Sequence, residues 1–184
     1  MTGFRFRGGH HAIDLPATLQ GRLKPTPREL LETPDDLGRW LAEAGLAETA
    51  PDCDEADLAT ARRLREAIYA LACSLLPEGK EAPEARETLN RLAAAPAAVP
   101  MLRTEGGIRL EGSAAALLAT IARDAVHLFG GEDAERIRQC HSPTCTLFFV
   151  DRSRSGKREW CSMTGCGNKA KVAAFRERKR GGAL

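Results

Sequence analysis

Four cysteines in the last quarter of the chain have the spacing of a metal site. Cys140 and Cys145 form one C-x4-C pair, Cys161 and Cys166 form a second, and fifteen residues separate the two pairs. Each pair can supply two thiolates from one tight loop, and the spacer can bring both loops to a single tetrahedral Zn²⁺. Because four thiolates leave no open coordination position, the pattern predicts one structural zinc ion rather than a catalytic one.

Disulfide bonds are the alternative for paired cysteines, and the expected compartment argues against them. The residues from Met1 to Arg7 carry charge, but no apolar segment follows them, so we expect no signal peptide. No stretch approaches the roughly 18 apolar residues of a membrane span. We therefore expect a cytoplasmic protein with no membrane partner, in which thiols stay reduced. Cys53 and Cys73 are expected to be unliganded, and His141, next to Cys140, is expected to face solvent.

Basic residues are concentrated around these cysteines. Residues 136–180 hold twelve Lys and Arg against three acidic residues, a net charge of +9, whereas the rest of the chain carries −7. Such a separation indicates two functional parts, one of which meets a polyanion such as nucleic acid. The alternative for the basic run is a solvated surface.

The residues between and after the cysteine pairs predict a small zinc fold. Thr146 to Val150 is β-branched and aromatic and predicts a strand, and after a polar turn Lys157 to Trp160 is predicted to return as a second strand. Good helix formers follow from Lys169, with Val172 and Phe175 suited to packing on the hairpin. This order is that of a treble clef, in which the last ligands lie at the start of the terminal helix, whose positive end stabilises thiolate.

The remainder of the chain predicts a mainly helical domain with a small β-hairpin. The hydrophobic content of the whole chain, 43%, is ample for a core. We therefore predict an α+β protein, with residues 1–132 forming the N-terminal domain and residues 133–184 a treble-clef-like four-cysteine zinc finger. The predicted helices are a short one through Ile13, Leu15 and Leu19 near Pro16, one capped by Thr33 and stopped by Gly45, two over Asp54–Leu76 and Pro83–Ala95, and one from Ser113 to Gly130. The predicted strands are Met101–Thr104 and Ile108–Glu111, around Gly106-Gly107.

The cysteine-rich segment resembles a known family. Cys140-x4-Cys145, then Phe148-Phe149, then Cys161-x4-Cys166-Gly167-Asn168-Lys169 is similar to the CGNR zinc finger of bacterial proteins, over about residues 136–180. That finger normally follows an N-terminal domain named ABATE, in a family described as stress-induced transcription regulators. The resemblance implies a zinc-dependent regulator that binds DNA. Lys169 stands where the motif has arginine, which preserves a phosphate contact better than a bidentate base contact.

The amino-terminal part shares a weaker pattern with the same family. His11 to Thr18 is similar to the family's Leu-Asp-Phe-x-Asn-Thr opening, with Ala17 in place of the asparagine and Pro16 as a further departure. Leu31-x5-Leu37-x2-Trp40-Leu41 also fits. By analogy with the family, this domain is expected to sense a small molecule or a stress signal, or to mediate assembly.

The cations of the finger are the candidate nucleic-acid contacts. Asn168 can bond the N6 and N7 atoms of an adenine, and the alternative role for it, a helix cap or a knuckle hydrogen bond, is slightly favoured. Neutralising about four phosphates predicts a slope of log K against log salt of roughly −3.6 on duplex DNA. The candidate residues are Asn168, Lys169, Lys171, Arg176, Arg178, Lys179 and Arg180, with Arg152, Arg154, Lys157 and Arg158.

Other functions stay open as alternatives. The finger can serve as a zinc-stabilised protein-interaction module, or bind RNA, without recognising a DNA sequence. One finger buries little DNA, so a homodimer or another regulator is an expected partner. We find no glycine-rich phosphate loop and no nucleophile with a base, and His10, His11 and Asp14 do not share one direction, so we predict no catalytic residue and no enzyme activity.

Overall fold

The computed structural model describes residues 3–181, without the side chains of Glu177 and Arg180. Within that range the fold is α+β, as predicted, with long helices and short antiparallel strand pairs. The helices are α1 (His11–Asp14), α2 (Pro34–Glu43), α3 (Glu55–Ser74), α4 (Pro83–Ala93), α5 (Ala114–Gly130) and α6 (Asn168–Gly181). The strands are β1 (Leu19–Gln20), β2 (Arg28–Glu29), β3 (Val99–Leu102), β4 (Ile108–Glu111), β5 (Ile137–Gln139) and β6 (Phe148–Val150), paired as β1–β2, β3–β4 and β5–β6.

Helices α2, α3 and α5 each start at a residue whose side chain caps the helix. Thr33 accepts the backbone N–H of Asp36 at the start of α2, and the Asp36 carboxylate accepts the N–H of Thr33 in return. Asp54 starts α3 in the same reciprocal way with Asp57, and Ser113 caps α5. These bonds satisfy N–H groups that have no partner within the helix, which is why the sequence marks these starts clearly. No helix within residues 3–181 is long and apolar enough to cross a membrane.

The main core lies between α3 and α5, with α1, α2 and α4 packed around them. Apolar side chains at helical spacing, such as Leu64 and Ile68 on α3 and Ile121 on α5, are fully buried. Trp40 of α2 is also fully buried. The core is therefore built by helix faces, and the strands are added at its edges.

The β3–β4 hairpin confirms the prediction made from Gly106-Gly107. Both glycines have a left-handed backbone, with φ of 88° and 89°, which residues with a Cβ rarely adopt. Leu102 lies opposite Ile108 in the register, and these side chains are 84% and 69% exposed. The tip of the hairpin therefore presents an apolar pair to solvent.

The segment around Pro16 differs from the single short helix predicted for it. The one-turn helix α1 is followed by a 3-10 turn over Leu15–Thr18, and Leu19 then enters β1. Pro16 lies in the first positions of the 3-10 turn, where its missing N–H costs nothing. The β1–β2 pair was not predicted, because strands of two residues leave no periodic pattern.

The hairpin of the cysteine-rich segment pairs strands other than those predicted. β6 pairs with β5, which precedes Cys140, in the register Ile137 opposite Val150. The prediction of a strand over Lys157–Trp160 is wrong, because the main chain there bonds elsewhere. The N–H of Arg158 donates to the Asp151 carboxylate (2.9 Å), and the Glu159 carbonyl accepts the N–H of His141 (2.9 Å).

Strand β6 contributes to two cores. Phe148 and Val150 belong to the main core, where the Phe148 ring meets Tyr69 of α3 edge-on at 5.7 Å. Phe149 points to the opposite face and packs with Cys140 and Cys161 in a second, smaller cluster. The alternation of a strand therefore joins the cysteine-rich segment to the helical part through one shared element.

Candidate metal centre and nucleic-acid interface

The structure brings the four predicted ligands together. The sulfur atoms of Cys140, Cys145, Cys161 and Cys166 all lie within 4.8 Å of one another. Cys161 is 3.9 Å from Cys145 and 3.7 Å from Cys166, measured between sulfur atoms. Two of the four residues are buried and two are half-buried.

These distances fit a tetrahedral zinc site. With Zn–S bonds of about 2.3 Å, the edges of an ideal tetrahedron of sulfurs measure about 3.8 Å. The observed separations of 3.7 and 3.9 Å lie on either side of that value. Four thiolates form a closed, soft donor set that suits zinc, so the chain has a structural zinc site.

Backbone N–H groups favour thiolate at the first cysteine pair. The N–H of Leu147, two residues after Cys145, is directed at the Cys145 sulfur, and Ser142 has the same relation to Cys140. The pKa of Cys145 is lowered to about 5, first by the hydrogen bond with the Cys161 thiol. The pKa of Cys140 is raised because burial outweighs the two hydrogen bonds that its sulfur accepts from the N–H groups of Cys161 and Ser142. A bound cation would remove this difference, since thiolate is the form that ligates metal.

The second cysteine pair lies at the start of the terminal helix, as predicted. Cys166 lies in one turn of π-helix over Met163–Gly167, and α6 follows directly at Asn168. The side chain of Ser162 accepts the N–H of Gly165 and caps this turn. Ser162 therefore caps the start of this turn, and Asn168 does not. Asn168 is the first residue of α6, and its side chain is exposed.

The remaining thiols and His141 lie outside the cluster. Cys53 and Cys73 are free and half-buried, and both contact the main core. His141 is exposed, as predicted, and its ring meets Trp160 edge-on at 6.1 Å. Burial and the surrounding aspartates raise the pKa of Cys53 to about 11, so this thiol is a poor ligand at neutral pH.

Helix α6 presents cations to solvent. Its predicted contact residues Lys169, Lys171, Arg176, Arg178 and Lys179 are exposed, while the side chain of Arg180 lies outside the described part of the chain. The prediction that Val172 and Phe175 pack on the hairpin is wrong. Val172 is 41% and Phe175 53% exposed, so neither side chain is buried against the β5–β6 hairpin.

The predicted cations of the loop after β6 differ in their environments. Arg154 and Lys157 are exposed. Arg152 forms an ion pair with Asp133 (3.0 Å) and donates to the Gly9 carbonyl (3.4 Å).

Arg158 is the exception among these cations. Its guanidinium lies 4.2 Å from the centre of the Phe149 ring and donates to the carbonyls of Trp160 (2.9 Å), Cys161 (2.6 Å) and Arg7 (3.3 Å). These contacts use the guanidinium inside the protein, where Arg158 joins the main chain at residues 7, 160 and 161. We call this arrangement the Arg158 clamp.

The family pattern at the amino end places two polar side chains in the interior. The Asp14 carboxylate accepts the N–H groups of Arg7 and Gly8, both at 2.7 Å, and burial raises its pKa. Thr18 donates to the Leu15 carbonyl and accepts from the Arg65 guanidinium. Sequence reasoning missed Arg65, although a lone arginine on the apolar face of a predicted helix is a signal for a buried ion pair.

Two family patterns match the chain. Residues 9–132, more than half of the sequence, match the ABATE family, whose description reads "putative stress-induced transcription regulator". The chain belongs to the ABATE family. Residues 136–179 match the CGNR zinc finger, as the resemblance predicted, so this ABATE protein carries its zinc site in a recognised finger. No curated protein matches the chain significantly.

Proposed function

We propose that this ABATE protein is a DNA-binding transcription regulator whose zinc finger contacts the phosphate backbone. The observation that carries the proposal is the position of α6, which begins directly after the turn holding Cys166 and presents exposed cations. Zinc binding of roughly 10 kcal/mol or more compensates for a core that is too small to fold alone. The metal thereby holds a basic helix in a defined direction.

Two residues at the start of α6 have separate roles in this proposal. Lys169 contacts a phosphate, since an ammonium group binds phosphate as a point charge without a fixed plane. Asn168 reads an adenine edge, because the oxygen of its exposed amide can accept from N6 while the amide nitrogen donates to N7. Backbone contacts then supply most of the affinity, and Asn168 supplies discrimination.

Binding of the full-length zinc protein to duplex DNA tests the proposal. Fluorescence anisotropy over a series of salt concentrations should give a slope of log K against log salt of roughly −3.6, for about four phosphates. The double variant Arg176→Gln/Arg178→Gln should bind more weakly and give a shallower slope. Absence of binding at low salt would contradict the proposal, and selection from a random DNA pool would identify the preferred sequence.

A protein partner is the second candidate, favoured by the exposed apolar residues of α6. Val172 and Phe175 present apolar surface that phosphates do not use. A helix with such anchors can bind in an apolar groove of another regulator. Phe175→Ala would abolish that interaction and leave the salt dependence of DNA binding unchanged.

A cleft between the helical part and the first cysteine pair supports the sensing part of the proposal. It measures about 620 Å³, a volume typical of small-molecule sites. Leu75, Leu76 and Pro77 form one side, and Gln139 to Pro143 form the other. A molecule bound there would touch both the end of α3 and the loop carrying Cys140. We infer a cytoplasmic, non-enzymatic protein in which such a ligand modulates the finger.

We further propose a homodimer, because one finger buries little DNA. The exposed pair Leu102 and Ile108 at the tip of the β3–β4 hairpin offers an apolar surface for a second copy. Light scattering of the wild type and of Leu102→Glu measures this directly: the wild type should have the mass of two chains and the variant the mass of one. A monomeric wild type would contradict the dimer.

A further inference from the structure

A second group of arginines lines a concavity whose described lining includes no residue of α6. This concavity has a volume of about 370 Å³. It opens at the end of the β5–β6 hairpin opposite the loop that carries Cys140 and Cys145. We name it the arginine pocket. It is lined by Arg136, Arg138, Arg152 and Arg154, together with Asp151, Ser153, Ser155 and Gly156.

The acidic groups around the arginine pocket do not neutralise it. Asp151 is buried and accepts the N–H groups of Ser153 and Arg158, so its charge is directed into the loop. The single carboxylate of Asp133 forms ion pairs with both Arg136 (3.3 Å) and Arg152 (3.0 Å). Four guanidinium groups thus face two carboxylates, which leaves the pocket with a net positive charge.

The free donors of the pocket point to an anionic ligand. Within residues 3–181, no carboxylate lies within ion-pair distance of Arg154. One terminal nitrogen of Arg138 donates to the carbonyls of Glu135 and Ile137, and its remaining N–H groups are not used in those bonds. Guanidinium groups match the oxygens of phosphate in a planar, two-pronged geometry.

The walls of the pocket favour a phosphate of a polymer over a small phosphorylated molecule. Its described lining contains no aromatic or aliphatic side chain that could stack on a base or pack on an organic group. A nucleotide would therefore gain affinity from its phosphates alone. Duplex DNA can gain further affinity because its neighbouring phosphates contact other cations of the same protein. A pocket that binds only one phosphate can therefore still contribute to DNA binding.

We propose that the arginine pocket binds a backbone phosphate of duplex DNA, as a contact separate from α6. This proposal rests on the proposed DNA-binding function and adds Arg136 and Arg138, which the sequence did not single out for this role. One phosphate contact contributes about 0.9 to the slope of log K against log salt. The pocket is therefore a measurable fraction of the total electrostatic binding.

The test compares three double variants of the full-length zinc protein on one duplex DNA. Arg136→Gln/Arg154→Gln removes two pocket cations, and Arg176→Gln/Arg178→Gln removes two cations of α6. The matched control, Arg63→Gln/Arg86→Gln, removes two exposed arginines from α3 and α4. Zinc content and thermal unfolding verify that each variant is folded.

The expected result is a slope shallower by about 0.9 and a roughly tenfold weaker affinity at 0.1 M salt for the pocket variant. The control should match the wild type. If the pocket variant also matches the wild type while the α6 variant loses affinity, the pocket proposal is overturned and the DNA-binding function stands. If the wild type itself does not bind DNA, both fail.

Two further arms distinguish other sources of phosphate. Inorganic pyrophosphate is titrated calorimetrically into the wild type and the pocket variant. Pocket-dependent pyrophosphate binding, combined with unchanged DNA binding in the pocket variant, would overturn the proposal in favour of a small phosphorylated ligand. A structured RNA that outcompetes duplex DNA, with a loss only in the pocket variant, would overturn it in favour of RNA.

Discussion

Phe148 and Phe149 are consecutive on β6, and their rings enter two different cores. Phe148 meets Tyr69 of α3 in the main core, whereas Phe149 packs with Cys140 and Cys161 beneath the Arg158 guanidinium. The finger is thus attached to the helical domain by a strand that both parts need. We therefore expect the two clusters to contribute separately to the stability of the protein.

Replacing each phenylalanine by alanine should therefore have different effects. Phe148→Ala removes a buried ring from the main core and should lower the free energy of unfolding by about 3–5 kcal/mol. Phe149→Ala should chiefly accelerate the loss of zinc to a chelator, because it leaves a cavity beside two ligands. Urea unfolding and zinc-release kinetics measure the two effects, and equal changes of both in both variants would contradict separate cores.

Loss of a zinc ligand should unfold the finger. Wild-type protein should contain one zinc per chain by elemental analysis, and Cys161→Ser should contain none, because three thiolates no longer close the tetrahedron. Cys53→Ser is the matched control, since Cys53 lies outside the cluster. Full zinc retention by Cys161→Ser would exclude the four-cysteine site.

Arg158 should be replaceable by neither alanine nor lysine. Its guanidinium joins the carbonyls of Arg7, Trp160 and Cys161 and covers Phe149, and an ammonium group cannot make these bonds together. Arg158→Lys should destabilise the protein by about 2 kcal/mol and increase hydrogen exchange in residues 157–161. Arg154→Lys is the exposed control. Unchanged exchange in Arg158→Lys would show that the clamp carries no stability.

Glu29 should make stability depend on pH in acid. Although burial alone would raise it, the Arg65 guanidinium at 2.6 Å and the N–H groups of Leu30 and Leu31 lower the pKa of Glu29. A lowered folded pKa gives stabilisation that is complete above the unfolded value of about 4.3 and is lost as the pH falls through the folded value. The free energies of unfolding of wild type and Glu29→Gln in urea should therefore differ at pH 7, and the difference should shrink as the pH falls below about 4.3. A constant difference across this range would contradict the linkage.

Local chemistry explains which features could be predicted from the sequence. The caps at Thr33, Asp54 and Ser113, and the turn at Gly106-Gly107, act within a few residues of themselves, so their patterns are visible in the chain. The cysteine cluster was also predictable, because few arrangements bring four thiols to one ion.

Features that depend on distant partners were missed. The Lys157–Trp160 segment follows a polar turn and was predicted to return as a strand, yet its backbone groups bond to Asp151 and His141. The exposure of Phe175 depends on the direction in which α6 leaves the zinc turn, which no periodicity encodes. The same holds for Arg158, whose partner Arg7 lies 151 residues away.

The contacts of residues 7–9 have a consequence for the order of folding. Arg158 donates to the Arg7 carbonyl, Val150 to that of Gly8 and Arg152 to that of Gly9, so these bonds join segments more than 140 residues apart. Closing so long a loop costs entropy before any contact repays it. We expect the helical core to form early and these three contacts to form late. During synthesis, the cysteine-rich segment must leave the ribosome before Val150 can bond to Gly8.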